Sequence, residues 1–191
     1  HRGHIELIKK TKEIDNNFQI VTFNEIPKIY FDNNLKPLLD KNNRNKIFNE
    51  YKPTNLIYLK FDEINKFSSD EFLKFLDINL NTNKIVVGKD FRFGKNRTGE
   101  VNNIINYFGE NNVILLSDYF IENEKVSSTK IRKYLDNGNI KQANKFLGRK
   151  YELLGTVVEG LKMGSKLGFP TANIKLDHDL YLPKYGVYGI T

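Results

Sequence analysis

Hydrophobic and polar residues follow two different periods along the first three quarters of the chain. Short apolar runs typical of strands lie at Phe18–Phe23, Asn55–Phe61, Lys84–Gly88 and Asn112–Leu116. Apolar residues at three- and four-residue spacing predict helices at about Gly3–Ile14, Arg44–Tyr51, Ser69–Asp77, Glu100–Phe108, Ser128–Leu135 and Ile140–Leu147. Strands that alternate with helices predict an α/β domain whose parallel sheet is covered by helices.

The pattern changes after Gly148, which is placed to end the last of these helices. Strand-like alternation covers Tyr151–Leu161, glycine-rich turns follow, and another apolar run covers Gly186–Ile190. We therefore expect one domain at 1–148 and the beginning of an all-β unit at 149–191.

Composition narrows the possible classes of protein. Of the 191 residues, 39% are hydrophobic, which predicts a globular fold, and the absence of cysteine excludes disulfides and thiolate chemistry. The net charge of +7 comes from lysines spread along the chain, a pattern more typical of a solvated surface than of a nucleic-acid interface. No apolar run approaches the roughly 20 residues of a membrane span, so we expect a cytoplasmic protein without membrane or nucleic-acid partners.

Candidate chemistry begins at His1-Arg2-Gly3-His4, directly in front of the first predicted helix. Free backbone N–H groups and the dipole at a helix start favour an anion. Two imidazoles there can donate hydrogen bonds to phosphate oxygens, and Gly3 leaves room for a phosphate to approach. A single histidine is more often structural, so this short motif needs a partner.

Two other segments supply suitable partners. Val126-Ser127-Ser128-Thr129-Lys130-Ile131-Arg132 places three hydroxyls at a predicted helix start and an arginine one turn later, groups that hold phosphate oxygens. The stretch from Val86 to Gly99 leads an apolar strand into a glycine-containing loop, at the strand end where parallel α/β sheets bind ligands. The alternatives are an ordinary serine N-cap with a solvent-facing arginine, and a turn whose aromatic residues pack locally.

In this order and at these separations, HRGH, VGKDFRFGKNRTG and VSSTKIR resemble the adenylyltransferase module of the prokaryotic bifunctional riboflavin kinase/FMN adenylyltransferase (FAD synthetase) family. GFPTAN from Gly168 to Asn173 and LPKYGVY from Leu182 to Tyr188 are similar to the opening motifs of that family's riboflavin kinase module. The resemblance implies a Rossmann-like nucleotidyltransferase domain with a parallel sheet, followed by the start of an all-β riboflavin kinase barrel.

The same resemblance implies transfer of AMP from ATP to FMN, giving FAD and pyrophosphate, and phosphorylation of riboflavin by a complete kinase module. His1 and His4 are then the catalytic residues, stabilising charge on the ATP phosphates. The other ATP-binding positions that it implies are Gly3, Asp90, Arg97, Ser127, Ser128, Thr129 and Arg132.

For the flavin, the resemblance implies aromatic residues near the sheet edge, and the candidates are Phe31, Phe72 and Phe93. Each of them can instead belong to the core, the more common place for a phenylalanine. The P-T-A-N motif implies a Mg²⁺-nucleotide site at Thr171 and Asn173, whose oxygen atoms suit that ion.

The sequence departs from the family at three places. The family's strand and glycine turn ahead of H-x-G-H would precede His1, its kinase carboxylate would follow Thr191, and Phe23-Asn24-Glu25-Ile26-Pro27 replaces a Phe-x-Pro-His-Pro-like segment. Another H-x-G-H adenylyltransferase, acting on a nicotinamide or pantetheine phosphate, and a non-catalytic nucleotide- or nucleic-acid-binding domain remain alternatives. The P-T-A-N motif argues against the first of these.

Overall fold

The computed structural model describes residues 1–159, 168, 171–177 and 179–189. The elements, in chain order, are α1 (Arg2–Ile14), β1 (Gln19–Phe23), α2 (Pro27–Phe31), α3 (Lys41–Asn49), β2 (Asn55–Leu59), α4 (Phe61–Ile64), α5 (Ser69–Leu80), β3 (Ile85–Gly88), α6 (Val101–Phe108), β4 (Val113–Leu116), β5 (Phe120–Ile121), β6 (Glu124–Lys125), α7 (Ser128–Asp136), α8 (Ile140–Leu147), β7 (Gly155–Val158) and β8 (Asn173–Leu176). Single 3₁₀ turns lie at Lys95–Arg97 and Glu110–Asn112.

Two pairs of parallel strands form the α/β part of the molecule. β1 pairs with β2, with Gln19 opposite Asn55, and β3 pairs with β4, with Ile85 opposite Val113. Parallel neighbours need a crossover connection, and helices lie between the members of both pairs. The predicted α/β class is confirmed, although the strands form two separate pairs and not one continuous sheet.

Local capping explains where several helices begin and end. Ser68 and Glu71 form a reciprocal capping box at the start of α5. Asn139 caps α8, which ends as predicted at Gly148. Asp40 caps α3, so this helix begins three residues before the predicted start at Arg44.

The patterns missed some short elements. The helices α2 and α4 were not predicted, because a single helical turn gives too little periodicity. The hairpin of β5 and β6 was also missed: its turn is Glu122-Asn123, and both residues have positive φ, a conformation usually marked by glycine.

Two apolar clusters form the core. One lies between the parallel strands and helices α4 to α6, and its buried members are Leu59, Ile64, Phe72, Leu73, Phe93 and Ile104. The other joins the β5–β6 hairpin to α7 and α8, with Leu38, Ile121, Val126, Ile131, Leu135, Ala143, Phe146 and Leu147 buried. Tyr151 and Tyr181, from the tail of the chain, pack against this second cluster.

The described part of the tail contains an antiparallel pair, β7 with β8, in which Gly155 lies opposite Leu176. The strand predicted at Tyr151–Leu161 is therefore shorter, and Leu161 lies outside the described residues. Residues 186–189 form no strand, and Ile190 lies outside the described residues. No closed barrel is seen in the described parts of the tail, so the barrel stays a prediction.

Within the described ranges, none of the helices is both long and apolar enough to cross a bilayer.

Candidate functional site

The two histidines of the opening motif lie face to face at the start of α1. Their rings stack with centroids 3.8 Å apart, and His1 Nδ1 accepts a hydrogen bond of 3.3 Å from the His4 backbone N–H. His1 is therefore the N-cap of the helix. Gly3 favours this arrangement, because a Cβ there would make a tight contact of 3.3 Å with the His1 ring.

The surroundings of His4 keep its imidazole neutral. Burial is the main cause that lowers the pKa of His4. The His4 side chain is nevertheless exposed to solvent, which screens part of this effect. At neutral pH His4 is then an uncharged imidazole that can donate one hydrogen bond.

The segment around the β5–β6 hairpin brings the predicted motifs together. A methyl group on Gly3 would lie 3.8 Å from Cβ of Tyr119, and the Tyr119 carbonyl accepts a hydrogen bond of 2.8 Å from Val126 N–H. Val126 directly precedes the serines of VSSTKIR, and its neighbour Lys125 contacts the loop after β3. The H-x-G-H motif, the loop after β3 and the start of α7 thus meet at this hairpin.

Lys125 links the loop after β3 to the loop after β4. Its Nζ lies 2.5 Å from an Asp90 carboxylate oxygen and 2.8 Å from one of Asp118. Lys89 also reaches Asp118, at 3.5 Å. Hydrogen bonds to Asp118 and Asp90 raise the pKa of Lys125, and the one from Lys125 lowers the pKa of Asp118. The sequence singled out only Asp90, although Lys125 directly precedes the VSST segment.

VSSTKIR can be interpreted either as a phosphate-binding segment or as an ordinary serine N-cap with a solvent-facing arginine. The start of α7 agrees with each interpretation in part. The Ser127 hydroxyl accepts a hydrogen bond of 3.2 Å from Lys130 N–H, as an N-cap does. Ser128 is partly exposed and Thr129 is exposed. Arg132 is not solvent-facing, since it is 7% exposed and its Nη2 donates to the Lys36 carbonyl at 3.0 Å.

The loop after β3 exposes its polar residues and buries one aromatic. Phe93 and Gly99 exchange two backbone hydrogen bonds that close the loop. Asp90 and Arg97 are exposed, and Arg97 adopts a left-handed conformation with φ of 59°.

Of the three flavin candidates, only Phe31 is accessible. Phe72 and Phe93 are each 6% exposed, and their rings lie 5.4 Å apart inside the first core cluster. The structure therefore favours the alternative for Phe72 and Phe93, that they are core residues. Phe31 is 75% exposed, at the end of α2.

An open cavity of about 380 Å³ lies at the carboxyl ends of β1 and β2. It is lined by Asn24, Glu25, Ile26, Tyr30, Lys60, Phe61 and Asp62, so the segment that departs from the family pattern forms one wall. The rings of Tyr30, Phe31 and Phe61 meet edge to face, 5.3 to 5.7 Å apart. Tyr30, in α2, and Phe61, two residues beyond the end of β2, were missed.

Arg44 and Lys41, from α3, hold the cavity wall in place. Arg44 Nη2 donates to the carbonyls of Phe23 and Asn24, both at 2.9 Å. Lys41 Nζ donates to the Asn24 side chain at 3.0 Å. The volume lies in the range of ordinary small-molecule sites.

The two metal candidates lie apart from these groups in the chain, around the start of β8. Thr171 and Asn173 are exposed, whereas Phe169 and Pro170 of the same motif lie outside the described residues. Among the described residues, no three histidine, aspartate or glutamate side chains gather as a metal site.

The fold has parallel strand pairs joined by helical crossovers, and three segments suited to phosphate binding meet at one hairpin. These are the features of a nucleotidyltransferase domain. Residues 1–130 match the family model described as FAD synthetase, and residues 147–191 match the model described as riboflavin kinase. The chain belongs to the FAD synthetase family.

Relatives that match the whole chain are named as bifunctional enzymes. The bifunctional riboflavin kinase/FMN adenylyltransferase of Buchnera aphidicola subsp. Schizaphis graminum is 35% identical over 100% of this chain and 64% of its own length. The protein of the same name from Bacillus subtilis is 31% identical over 100% of this chain and 63% of its own length. This chain therefore spans less than two thirds of either relative.

A solved structure shares the fold. The crystal structure of a protein named macrolide-efflux protein, from Streptococcus pneumoniae, superimposes with a TM-score of 0.85 and 32% sequence identity, covering 98% of this chain and 64% of that one.

Proposed function

We propose that the protein is an FMN adenylyltransferase, which makes FAD from FMN and ATP, and that the complete protein also phosphorylates riboflavin. The convergence of the H-x-G-H motif, the Asp90 loop and the start of α7 at one hairpin carries the proposal, because adenylyl transfer needs several phosphate-binding groups in one place. The family membership and the bifunctional names of the relatives support it. We assign adenylyl transfer to 1–148 and the kinase to a module that begins at 149–191.

In the proposed reaction, a phosphate oxygen of FMN attacks the α-phosphorus of ATP. One P–O bond forms as the bond to the leaving pyrophosphate breaks, and no covalent enzyme intermediate is involved. The protein contributes positioning and electrostatic stabilisation. Stacked at the start of α1, His1 and His4 donate hydrogen bonds to phosphate oxygens as charge develops, with His4 acting as a neutral donor.

The start of α7 holds the pyrophosphate. Ser127 already caps the helix, so the Ser128 and Thr129 hydroxyls and the free N–H groups are the available donors. Arg132, one turn later on the face of Ser128, adds the positive charge. Arg97, exposed in the neighbouring loop, is available for an outer phosphate oxygen.

Mg²⁺, when bound with the nucleotide, would neutralise phosphate charge. The oxygen donors of Asp90, for adenylyl transfer, and of Thr171 and Asn173, for the kinase, fit the oxygen ligands that this ion takes. All three residues are exposed in the structure, although Lys125 Nζ already contacts one carboxylate oxygen of Asp90.

The cavity beside β1 and β2 suits the flavin ring. Tyr30, Phe31 and Phe61 offer exposed aromatic surface at its edge, and Lys60 and Asn24 offer polar groups. Aromatic faces stack on a flat heterocycle while the polar groups fix its orientation. We assign isoalloxazine binding to this cluster, with Phe31 as the candidate retained from the sequence.

The test is to incubate the complete protein with FMN and Mg-ATP, and separately with riboflavin and Mg-ATP, and to follow flavins and pyrophosphate by chromatography. We expect FAD and pyrophosphate from the first mixture and FMN from the second. The absence of FAD would refute the proposed adenylyl transfer. AMP transfer to a nicotinamide or pantetheine phosphate would instead support the alternative adenylyltransferases.

The histidine roles have their own test. His1→Ala and His4→Ala should each lower kcat by about 10²- to 10³-fold, the usual effect of removing one donor to developing charge, while FMN affinity stays within about twofold. Lys10→Ala, on an exposed face of the same helix, is the matched control and should leave kcat unchanged. A loss of FMN affinity with unchanged kcat would contradict the assignment.

A further inference from the structure

Tyr181 lies in the tail, within the part of the chain that matches the riboflavin kinase model, yet it packs on the helix assigned to pyrophosphate. Its backbone N–H donates to the Pro37 carbonyl at 2.9 Å. Its hydroxyl donates to Asp136, at the end of α7, at 2.6 Å, and its carbonyl accepts a hydrogen bond from the Tyr151 hydroxyl. Both ends of this residue are therefore fixed.

Arg132 lies against the ring that these contacts fix. The guanidinium carbon is 5.5 Å from the centroid of the Tyr181 ring, within the range of a cation–π contact. The guanidinium also donates from Nη2 to the Lys36 carbonyl at 3.0 Å. Among the described residues, the buried Nε of Arg132 has no hydrogen-bond partner.

The Tyr181 ring and the Lys36 carbonyl fix the position of the Arg132 guanidinium. A guanidinium is a strong charge-assisted donor to phosphate oxygens, so fixing its position favours a bound anion. A flexible arginine side chain would lose entropy on binding that anion, whereas one held by a ring and a carbonyl has already lost it.

We propose that Tyr181 is a positioning residue for adenylyl transfer, which holds the Arg132 guanidinium in place for the leaving pyrophosphate. The kinase-like tail thereby completes the phosphate-binding helix of the adenylyltransferase domain. This inference rests on the proposed function, because it needs Arg132 to bind pyrophosphate.

The experiment measures pyrophosphate as a product inhibitor of FAD synthesis by the complete protein. Tyr181→Leu, which removes the ring face, should raise the inhibition constant of pyrophosphate about tenfold, equivalent to about 1.4 kcal/mol, with FMN affinity unchanged. Tyr181→Phe keeps the ring and should stay within about twofold of the wild type. Tyr185→Leu is the matched control, since Tyr185 is a fully exposed tyrosine of the same segment.

A double-mutant cycle separates positioning from general stabilisation. If Tyr181 acts through Arg132, then Tyr181→Leu has no further effect on the inhibition constant in an Arg132→Met background. The proposal is overturned if the effects of Tyr181→Leu and Arg132→Met on the inhibition constant multiply in the double variant. A lower inhibition constant in Tyr181→Leu alone overturns it as well.

A second set of variants does not depend on the folding of Tyr181→Leu. Replacing Tyr181 by phenylalanine, monofluorophenylalanine and trifluorophenylalanine weakens the ring's attraction for a cation in steps with little change of shape. The inhibition constant should rise along this series, and a constant value overturns the proposal. A wild-type protein that makes no FAD overturns the proposed function as well, whereas FAD synthesis with no effect of these changes overturns this inference alone.

Discussion

Gly94, in the loop after β3, has a backbone that other residues rarely adopt and no room for a side chain. Its φ of 71° and ψ of 175° lie in a region almost restricted to glycine. A Cβ there would lie 2.8 Å from the backbone nitrogen of Ser69 and 3.0 Å from its Cα. The neighbouring Ser68 is held by the capping box of α5, so this backbone has little freedom to move away.

Gly94→Ala should therefore be strongly destabilising. The backbone conformation costs about 1–3 kcal/mol and the steric conflict about the same again, so we expect a loss of about 4 kcal/mol of unfolding free energy. For a chain of this size that corresponds to a melting temperature lower by roughly 8–16 °C.

Two other glycines separate the two contributions. Gly109 has φ of 84°, but a Cβ at this position would have no neighbouring atom closer than 3.9 Å, so Gly109→Ala should cost only the backbone part, about 1–3 kcal/mol. Gly88 has neither problem, and Gly88→Ala should change stability by about 0.5 kcal/mol or less. Urea unfolding of the four proteins measures these differences. If Gly94→Ala were no worse than Gly109→Ala, the predicted conflict with Ser69 would be absent.

Three further predictions concern charge, capping and pH. Lys125→Met should leave stability within about 1 kcal/mol, because Lys125 itself and its partner Asp90 are exposed. It should lower the Mg²⁺ concentration for half-maximal FAD synthesis, since Asp90 is no longer neutralised by an ammonium group, and an unchanged Mg²⁺ dependence would contradict this. Ser68→Ala removes the capping box with Glu71 and should cost about 1 kcal/mol in urea unfolding, whereas an effect near zero would show that the cap contributes little. Because burial lowers the folded-state pKa of His4 below its ordinary value of 6.5, the unfolded chain binds the proton more readily. The free energy of unfolding should therefore fall as the pH drops below about 6.5, and that of the His4→Asn variant should fall less over the same interval.

Much of the local structure could be predicted because its causes lie within a few residues. The strands at Gln19–Phe23 and Ile85–Gly88 follow short β-type runs, and α8 begins and ends at the predicted residues because Asn139 and Gly148 cap it. Helix α5 instead continues three residues past the predicted Asp77, to Leu80, because the left-handed Asn81 ends it.

The candidate site was predicted less evenly. The histidines, the serines and Asp90 stand in recognisable motifs, so their residue types alone suggest phosphate chemistry. Phe72 and Phe93 share their local pattern with any aromatic residue, and only the packing of α5 against the loop after β3 makes them core residues. Phe61 stood in a predicted strand, where nothing marks it as part of a cavity.

The sequence by itself determined the α/β order of the longer elements, the end of α8 at Gly148 and the family to which the motifs belong, because these depend on periodicity and on residues close together in the chain. Only the tertiary structure decided that Lys125 neutralises Asp90 and that Arg132 lies buried between Lys36 and Tyr181. The physical reason is that burial and pairing depend on which distant segments meet. A lysine in a strand or an arginine in a helix has the same local pattern whether it faces water, a carboxylate or an aromatic ring.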